Sequence, residues 1–372
     1  MKFTIERSTL LKTLAHVQSV VERRNTIPIL ANVRIEANDE SGTIRLTATD
    51  MDLTIDEQVA ADISAGGVTT APAHMFFDIV RKLPDGAQVE VTGLEGRLTI
   101  ISGRSEFSLN CLPPEDFPSQ GDGDLPHRFT IESVALRSLI DRTRFAISTE
   151  ETRYYLNGIY LHAAKDESGA SVLRAVATDG HRLARVELEL PDGAADIPGV
   201  IVPRKTVAEL RKLADETAAG IEIGLSETRI LMSFDNITLT SKLIDGTFPD
   251  YERVIPADND KHLSVDCRAF EAAVDRVSTI STEKSRAIKL NAAQNVLTLS
   301  ATSAETSSAN EELEVDYDKD PLEIGFNARY LLDITQQIQG EAELVMADAA
   351  SPTILRDAGD ASALYVLMPM RV

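Results

Sequence analysis

The sequence predicts an α+β protein of three repeated domains, each holding two helices and about eight strands. Three observations predict it. The 372-residue chain is too long for one ordinary domain and suits two or three. A strand-then-helix pattern recurs three times at roughly 125 to 130 residues, far above the solenoid range of about 20 to 50, so each copy is a whole domain. Between its helices each copy carries strands of period-two alternation ending in a polar turn. Boundaries fall in the polar stretches Gly121-Asp122-Gly123-Asp124 and Ala257-Asp258-Asn259-Asp260, giving domains at residues 1–125, 126–257 and 258–372.

Phe3-Thr4-Ile5 opens the first copy as a strand. Leu10, Leu11, Leu14, Val17 and Val21 follow at the three-and-four spacing of a helix burying one face, over 8–24. Phe129-Thr130-Ile131 with Leu136, Leu139, Ile140 and Ile147 repeats the pattern over 133–147, and Leu263-Ser264-Val265 with Phe270, Ala273, Val274 and Val277 over 266–280. Alternating strands come next at 44–50, 173–179 and 297–303. A second helix opens at Pro72, Pro203 or Asn327, residue types suited to a helix start. Alternation resumes at Val89-Glu90-Val91, Ile221-Glu222-Ile223 and Glu343-Leu344-Val345, and the closing run Leu112 to Pro118 is echoed by Leu243 to Pro249.

A hydrophobic content of 43% with 26% charged residues sets aside disordered and collagen-like classes. The sequence holds no apolar run of membrane-spanning length, and residues 1–6 lead into an amphipathic pattern without a signal-peptide stretch, so a cytoplasmic location and no membrane partner are expected. Cys111 and Cys267 have no CxxC neighbour and read as buried thiols; no metal site and no cofactor are expected. The net charge of −22 excludes an adhesive nucleic-acid binder, and 5% aromatics with no Trp argue against base-stacking on single strands. The charge is segregated: the six helices sum to about +7 and the rest of the chain to about −29. Helices facing a polyanion would produce this, as would the general preference of exposed helical positions for Lys and Arg.

Several local runs are more specific. They are Thr26-Ile27-Pro28-Ile29-Leu30, Arg153-Tyr154-Tyr155-Leu156-Asn157-Gly158, Ala177-Thr178-Asp179-Gly180-His181-Arg182-Leu183, Ile201-Val202-Pro203-Arg204-Lys205, the segment Thr240 to Tyr251, and Tyr365-Val366-Leu367-Met368-Pro369-Met370-Arg371. Together, in order and over the whole chain, they resemble the bacterial DNA polymerase sliding clamps, the beta subunits of the replicative polymerase holoenzyme. The resemblance implies a head-to-tail homodimer forming a six-domain ring, with helices lining a pore around double-stranded DNA of any sequence. It implies partners that dock through short peptide motifs: the replicative polymerase, the clamp loader and repair polymerases. A closed ring retains duplex by topology, so weak and mobile phosphate contacts suffice.

By the same resemblance, DNA contacts fall on Arg24, Tyr154 and Tyr155, with Arg137, Arg204, Lys205 and Lys284 beside them; the alternative for Tyr154 and Tyr155 is an aromatic pair at a strand start, half in the core. The subunit interface falls on Phe107 and Leu109 against Thr279 and Ile280, a heterologous contact that closes after two steps. The chain departs from familiar members at Glu150, where a neutral polar residue contacts DNA; at Ala73-His74, in place of a basic pair; and at Thr279, in place of an aliphatic. The partner cleft is expected from Leu156, Thr178, Gly180, His181, Arg182, Leu183, Pro249, Arg253, Val254, Val366, Leu367, Met368, Pro369, Met370 and Arg371. Met reshapes to different ligands, Leu and Val take apolar anchors, and His and Arg orient the peptide. Two anchors at about 1.5 to 3 kcal/mol each, plus a few hydrogen bonds, fit roughly micromolar affinity, weak enough for partners to exchange.

An enzymatic reading would start from Asp179-Gly180-His181. A triad would need a nucleophile on a strained elbow, and the sequence holds no G-x-S-x-G run, H-E-x-x-H pair or Gly-rich phosphate loop, so no catalytic residue is expected. The remaining alternative is a peptide-binding scaffold that never encircles DNA.

Overall fold

The computed structural model describes residues 1–118, 123–281, 286–303 and 307–371, and the chain is α+β with antiparallel sheets. Among the described residues the six helices are α1 (Arg7–Gln18), α2 (Ala73–Lys82), α3 (Ser133–Thr143), α4 (Arg204–Glu216), α5 (Cys267–Ser278) and α6 (Ala328–Thr335). Local chemistry sets their starts. The Glu6 carboxylate accepts from the backbone N–H of Ser8 and Thr9, Asp266 accepts from Ala269, and Asn327 accepts from Arg329, each satisfying orphan donors of the first turn.

The first helix of each repeat ends earlier than its apolar spacing suggests. Ser19 caps α1 by donating to His16 and Val17, so Val20 and Val21 pack from the following turn and Arg24 lies beyond the helix. Thr279 closes α5 in the same way, and α3 tightens into a 3-10 turn at Arg144–Ala146. With α4 running on to Glu216, the observed helices carry about +5 rather than about +7.

Two compact units result: one of residues 1–136, 191–197 and 208–243, the other of 137–190, 198–207 and 244–372. They do not coincide with the sequence repeats because sheets cross the repeat boundaries. In the first unit an eight-stranded sheet runs His127–Glu132, Gly220–Leu225, Arg229–Phe234, Ile237–Lys242, Leu53–Ala60, Thr43–Thr49, Asn32–Asn38, Gly67–Pro72, and Ile237 pairs Glu57 where the repeats meet. In the second, the order is Val200–Pro203, Gly158–Lys165, Ser171–Thr178, Arg182–Glu189, Asp360–Leu367, Thr353–Asp357, Glu341–Met346, Lys261–Asp266, with Leu183 opposite Val366.

Each unit keeps a smaller sheet with a free edge. Ser105–Asn110 borders the five-stranded sheet of the first unit, and Ser308–Glu314 borders the four-stranded sheet of the second. In the first unit α1 packs on α2 and against the strands 43–49 and 53–60; in the second α5 packs on α6. Phe3, Leu10, Leu14 and Phe76 are fully buried, as are Phe270, Leu331 and Phe326, and each such side chain contributes about 1.5 to 3 kcal/mol. Cys267 is buried, which pushes its thiol up to about 11, whereas Cys111, expected to be buried, is half-exposed because it sits just past the edge strand.

Candidate partner cleft and DNA-facing residues

A cleft of about 260 Å³ opens on the second unit, lined by Arg153, Tyr155, Leu156, Thr178, Gly180, Arg182, Leu183, Pro249, Val254, Val366 and Met368. Its floor is the strand pair 182–189 and 360–367, where period-two alternation turns Leu183, Val366 and Met368 to one face. The wall is the stretch from Pro249 through the 3-10 turn Tyr251–Val254. Below the floor, Leu156, Val176, Leu183, Ile201, Phe248, Tyr251 and Val366 form one buried cluster.

The turn at one end is held tightly. Asp179 accepts from the N–H of His181 and Arg182 at 2.9 and 3.0 Å, and Thr178 accepts from Gly180 at 3.1 Å. Gly180 has φ of +89°, a conformation that favours glycine, and a Cβ there would lie 2.6 Å from the flexible end of Arg153, which would have to move aside. Arg182 is a buried cation with each guanidinium nitrogen bonded, to the Asp179 and Asp333 carboxylates and to the Phe145 carbonyl at 2.6 Å, and with the Tyr330 ring face at 4.3 Å.

Nine of the expected cleft residues converge here. Leu367 does not: alternation sends it to the opposite face, where it is fully buried and pairs Arg182 and Thr353. His181 stacks on Tyr330, and Arg253 is exposed and paired with Asp250, both outside the lining. Pro369, Met370 and Arg371 also stand outside it, with the Met370 N–H donating to Gly325. Arg153 and Tyr155 are lining residues the sequence reading did not assign to the cleft; their place in the run leading to Leu156 was the available signal. Larger hollows of about 540 and 690 Å³ on the first unit mix apolar side chains such as Phe129, Ile223, Leu231 and Phe117 with Arg, Glu, Asp and Thr, and their linings are more polar than that of the cleft.

The residues expected to face DNA lie on different elements. Arg24 is exposed on the turn after α1, Arg204 and Lys205 form the exposed start of α4, and Arg137 is half-buried on α3. Cations at a helix N-terminus oppose its dipole, so Arg204 and Lys205 are not placed there for helix stability. Tyr154 and Tyr155 sit in the 3-10 turn Glu151–Leu156 rather than at a strand start, packed edge to face at 5.8 Å, with Tyr154 53% exposed. Lys284 lies outside the described residues. Glu150 is forked onto Arg153 at 2.6 and 2.7 Å; that hydrogen bonding holds its carboxyl below the usual range, and the adjacent guanidinium offsets its charge. His74 Nε2 is bound to the Val21 carbonyl at 2.9 Å. At the expected interface Phe107 is half-exposed, Thr279 exposed and Ile280 half-buried, but Leu109 is 5% exposed and belongs to its own sheet's core.

Sheets fused across repeats, with one fusion opened into an apolar cleft, define a repeat-built binding protein whose helices and sheets form its frame. Family models agree domain by domain: the DNA polymerase III beta subunit N-terminal domain matches residues 1–120, the central domain 130–250 and the C-terminal domain 252–371. The chain belongs to the DNA polymerase III beta subunit family. It is 54% identical to the beta sliding clamp of Caulobacter vibrioides and 40% identical to that of Escherichia coli K12, with all of each chain covered. A C. crescentus beta sliding clamp crystal structure, with polyethylene glycol at the region assigned to beta-motif tethering, superposes with a TM-score of 0.97 at 53% identity, covering 100% of this chain and 99% of that one. The Bartonella birtlesii sliding clamp bound to griselimycin superposes at 0.96 and 49%, with both chains fully covered. Among the described residues no helix is long and apolar enough to cross a membrane.

Proposed function

We propose that this DNA sliding clamp works as a head-to-tail homodimeric ring of three domains per chain, near residues 1–125, 126–257 and 258–372. Duplex DNA passes through a pore lined by the helices, and the chain supplies processivity without catalytic chemistry of its own.

The pairing rule between repeats carries the reading. Strand 237–242 of the second repeat pairs strand 53–60 of the first, and strand 360–367 of the third pairs 182–189 of the second. The corresponding strands left over are 105–110 of the first repeat and 308–314 of the third, each at an edge of its sheet. Leu46 pairs Glu57 as Leu299 pairs Glu311, and Phe234 and Ile237 close a hairpin as Ser102 and Ser105 do. Transferring the register sets Ser105 of one copy opposite Glu311 of the next, and Phe107 opposite Ala309. A heterologous contact of this kind closes into a ring or propagates into a filament; the homodimer is the closed form.

Arg24, Tyr154, Arg204 and Lys205 supply mobile contacts to phosphate and sugar, with Arg137, Tyr155 and Lys284 as further contributors. The cleft receives short apolar-anchored peptides of the polymerase, the clamp loader and repair polymerases, and griselimycin, a ligand of the Bartonella birtlesii clamp, serves as a probe for it. The test is retention on nicked circular against linearised DNA, with Arg24→Glu and Ile280→Asp variants. The ring reading requires long retention on circles only, Arg24→Glu impaired in loading or retention with peptide binding intact, and Ile280→Asp monomeric by sedimentation. Equal dwell times on circles and free-ended DNA favour the non-encircling scaffold instead.

A further inference from the structure

We propose that Arg174 is a positioning residue for the partner cleft: its guanidinium pins the segment that carries Pro249 and Val254 and so fixes the width of the cleft. The inference rests on the peptide-docking reading of that cleft.

Arg174 lies on the strand Ser171–Thr178 and is 3% exposed. It lines no part of the cleft, yet its donors divide between the wall and the sheet. Nη1 donates to the Tyr251 hydroxyl at 2.8 Å and to Glu252 Oε1 at 2.7 Å, both on the 3-10 turn that ends at Val254. Nε donates to Glu187 at 2.7 Å and Nη2 to the Lys165 carbonyl at 2.8 Å, which anchor the guanidinium to the sheet. One rigid planar cation therefore ties the wall to the floor strands, a geometry a lysine cannot reproduce.

The chain of hydrogen bonds has a single consistent direction. His162 Nδ1 lies 3.0 Å from the Ala163 carbonyl and must donate to it, which leaves Nε2 to accept from the Tyr251 hydroxyl at 3.0 Å. Tyr251 thus gives its proton to His162 and receives one from Arg174. Burial pushes the His162 imidazole below its ordinary pKa, despite the Ala163 contact, and favours this neutral form. The ring of Tyr251 packs edge-on to Phe248, itself stacked on Tyr160 at 4.8 Å, so the aromatic contacts set the height of the wall and the hydroxyl sets its lateral position.

The other repeat junction has the same part without the connection. Arg45 takes the place of Arg174 on strand 43–49, but it is half-exposed and bonded to Asp56 and Gln58 of the adjacent strand. There the sheet face forms a hollow lined by Arg34, Thr47, Thr54 and Thr240, with Phe117 and Pro118 beside it, and Arg45 ties none of these to the sheet among the described residues.

The experiment measures griselimycin binding by calorimetry on the full-length chain, reading Kd and stoichiometry separately. Tyr251→Phe removes one hydroxyl and keeps the ring contacts; Arg174→Lys keeps the charge and loses the fork; Met368→Glu reports whether the ligand uses the cleft. We expect Met368→Glu to abolish binding, and Tyr251→Phe and Arg174→Lys to weaken it by about tenfold and about thirtyfold at unchanged stoichiometry. Wild-type Kd in both wall variants, with Met368→Glu inactive, overturns the positioning role and leaves the cleft standing. A fall in stoichiometry at constant Kd also overturns it, since that is the mark of partial misfolding. Binding unaffected by Met368→Glu removes the docking reading itself.

Discussion

The two junctions where sheets cross a repeat boundary use matching strands in matching register, yet one opens as an apolar cleft and the other closes as a buried ionic lock. Leu183 and Val366 floor the cleft in the second unit; Thr54 and Thr240 hold those positions in the first. On the core side, Val186 is matched by Glu57, a carboxylate only 3% exposed. His16 of α1 reaches it at 2.7 Å through Nδ1 and touches Glu216 of α4 at 3.1 Å through Nε2, while Lys12 pairs the same Glu216 at 2.9 Å. In the second repeat the place of His16 is taken by Arg142, paired with Asp360 at 3.0 Å and donating to Ser362 at 2.9 Å. The common fold thus depends on the alternation shared by both junctions, and the residues that differ are free to specialise in binding or in locking.

The largest test of that division is a charge placed on each face in turn. Met368→Glu puts an anion among Leu183, Val366 and Pro249 and should weaken peptide binding by about a thousandfold, about 4 kcal/mol, with little change in melting. Lys242→Glu at the corresponding place in the first unit should leave binding untouched, because that side chain is half-exposed beside Asp52. Fluorescence titration of the two variants with one peptide checks both, and comparable losses would erase the distinction between the junctions.

Removing the lock should cost less. His16→Ala leaves Glu57 with the Thr13 hydroxyl at 3.2 Å and the Asn236 amide at 3.4 Å, so the carboxylate is under-compensated but not bare. The expected loss is about 2 kcal/mol, below the range of about 3 to 5 for a fully orphaned buried charge, and denaturant unfolding of the variant measures it.

Legibility followed the range of the interactions. Period-two runs such as 44–50 and 173–179 and the three-and-four helical spacings are local, and they became strands and helices with shifted ends. The cleft was readable because its floor and wall fall in contiguous runs that resemble a family. Leu367 was misassigned although alternation alone, with Val366 and Met368 on one face, places it on the other. The lock was not readable: His16, Glu57 and Glu216 come from three elements, and nothing in the neighbourhood of any one of them names the other two. The same holds for Arg174 and Tyr251, joined only once the 3-10 turn Tyr251–Val254 packs on the sheet.

A smaller effect separates the junctions by pH. Burial pushes His16 down, but the hydrogen bond and charge of Glu57, with those of Glu216, outweigh it, so its pKa lies above the ordinary value. A raised folded pKa means that the stabilisation is complete below the unfolded value of about 6.5 and is lost as pH rises through the folded one. Glu216 is also raised by burial but pulled lower overall by Lys12 and His16, so its share is present above the unfolded carboxylate value and fades as pH falls through the folded one. The first junction should be firmest between those limits. At the second junction Asp360 is raised by burial but pulled lower overall by its Ser362 hydrogen bonds and by Arg142, so its share fades only on the acid side, while the guanidinium stays charged and adds no slope on the alkaline side. Melting temperatures of the wild type and His16→Gln, taken from about pH 6 to 9, should converge as pH rises; parallel curves would mean His16 is neutral in the fold.

The smallest expected change comes from giving the first junction the floor of the second. Thr54→Leu with Thr240→Val restores the aliphatic pair on a half-exposed sheet face and should alter stability by no more than about 0.5 kcal/mol. It should not create a second peptide site, because Arg45 is committed to Asp56 and Gln58 and does not fix a wall above the new floor. Calorimetry of the double variant should still give one peptide per chain. A stoichiometry of two would mean that an apolar floor alone makes a cleft, and would shift the specialisation of the second unit from its clamped wall to its Leu183 and Val366 side chains.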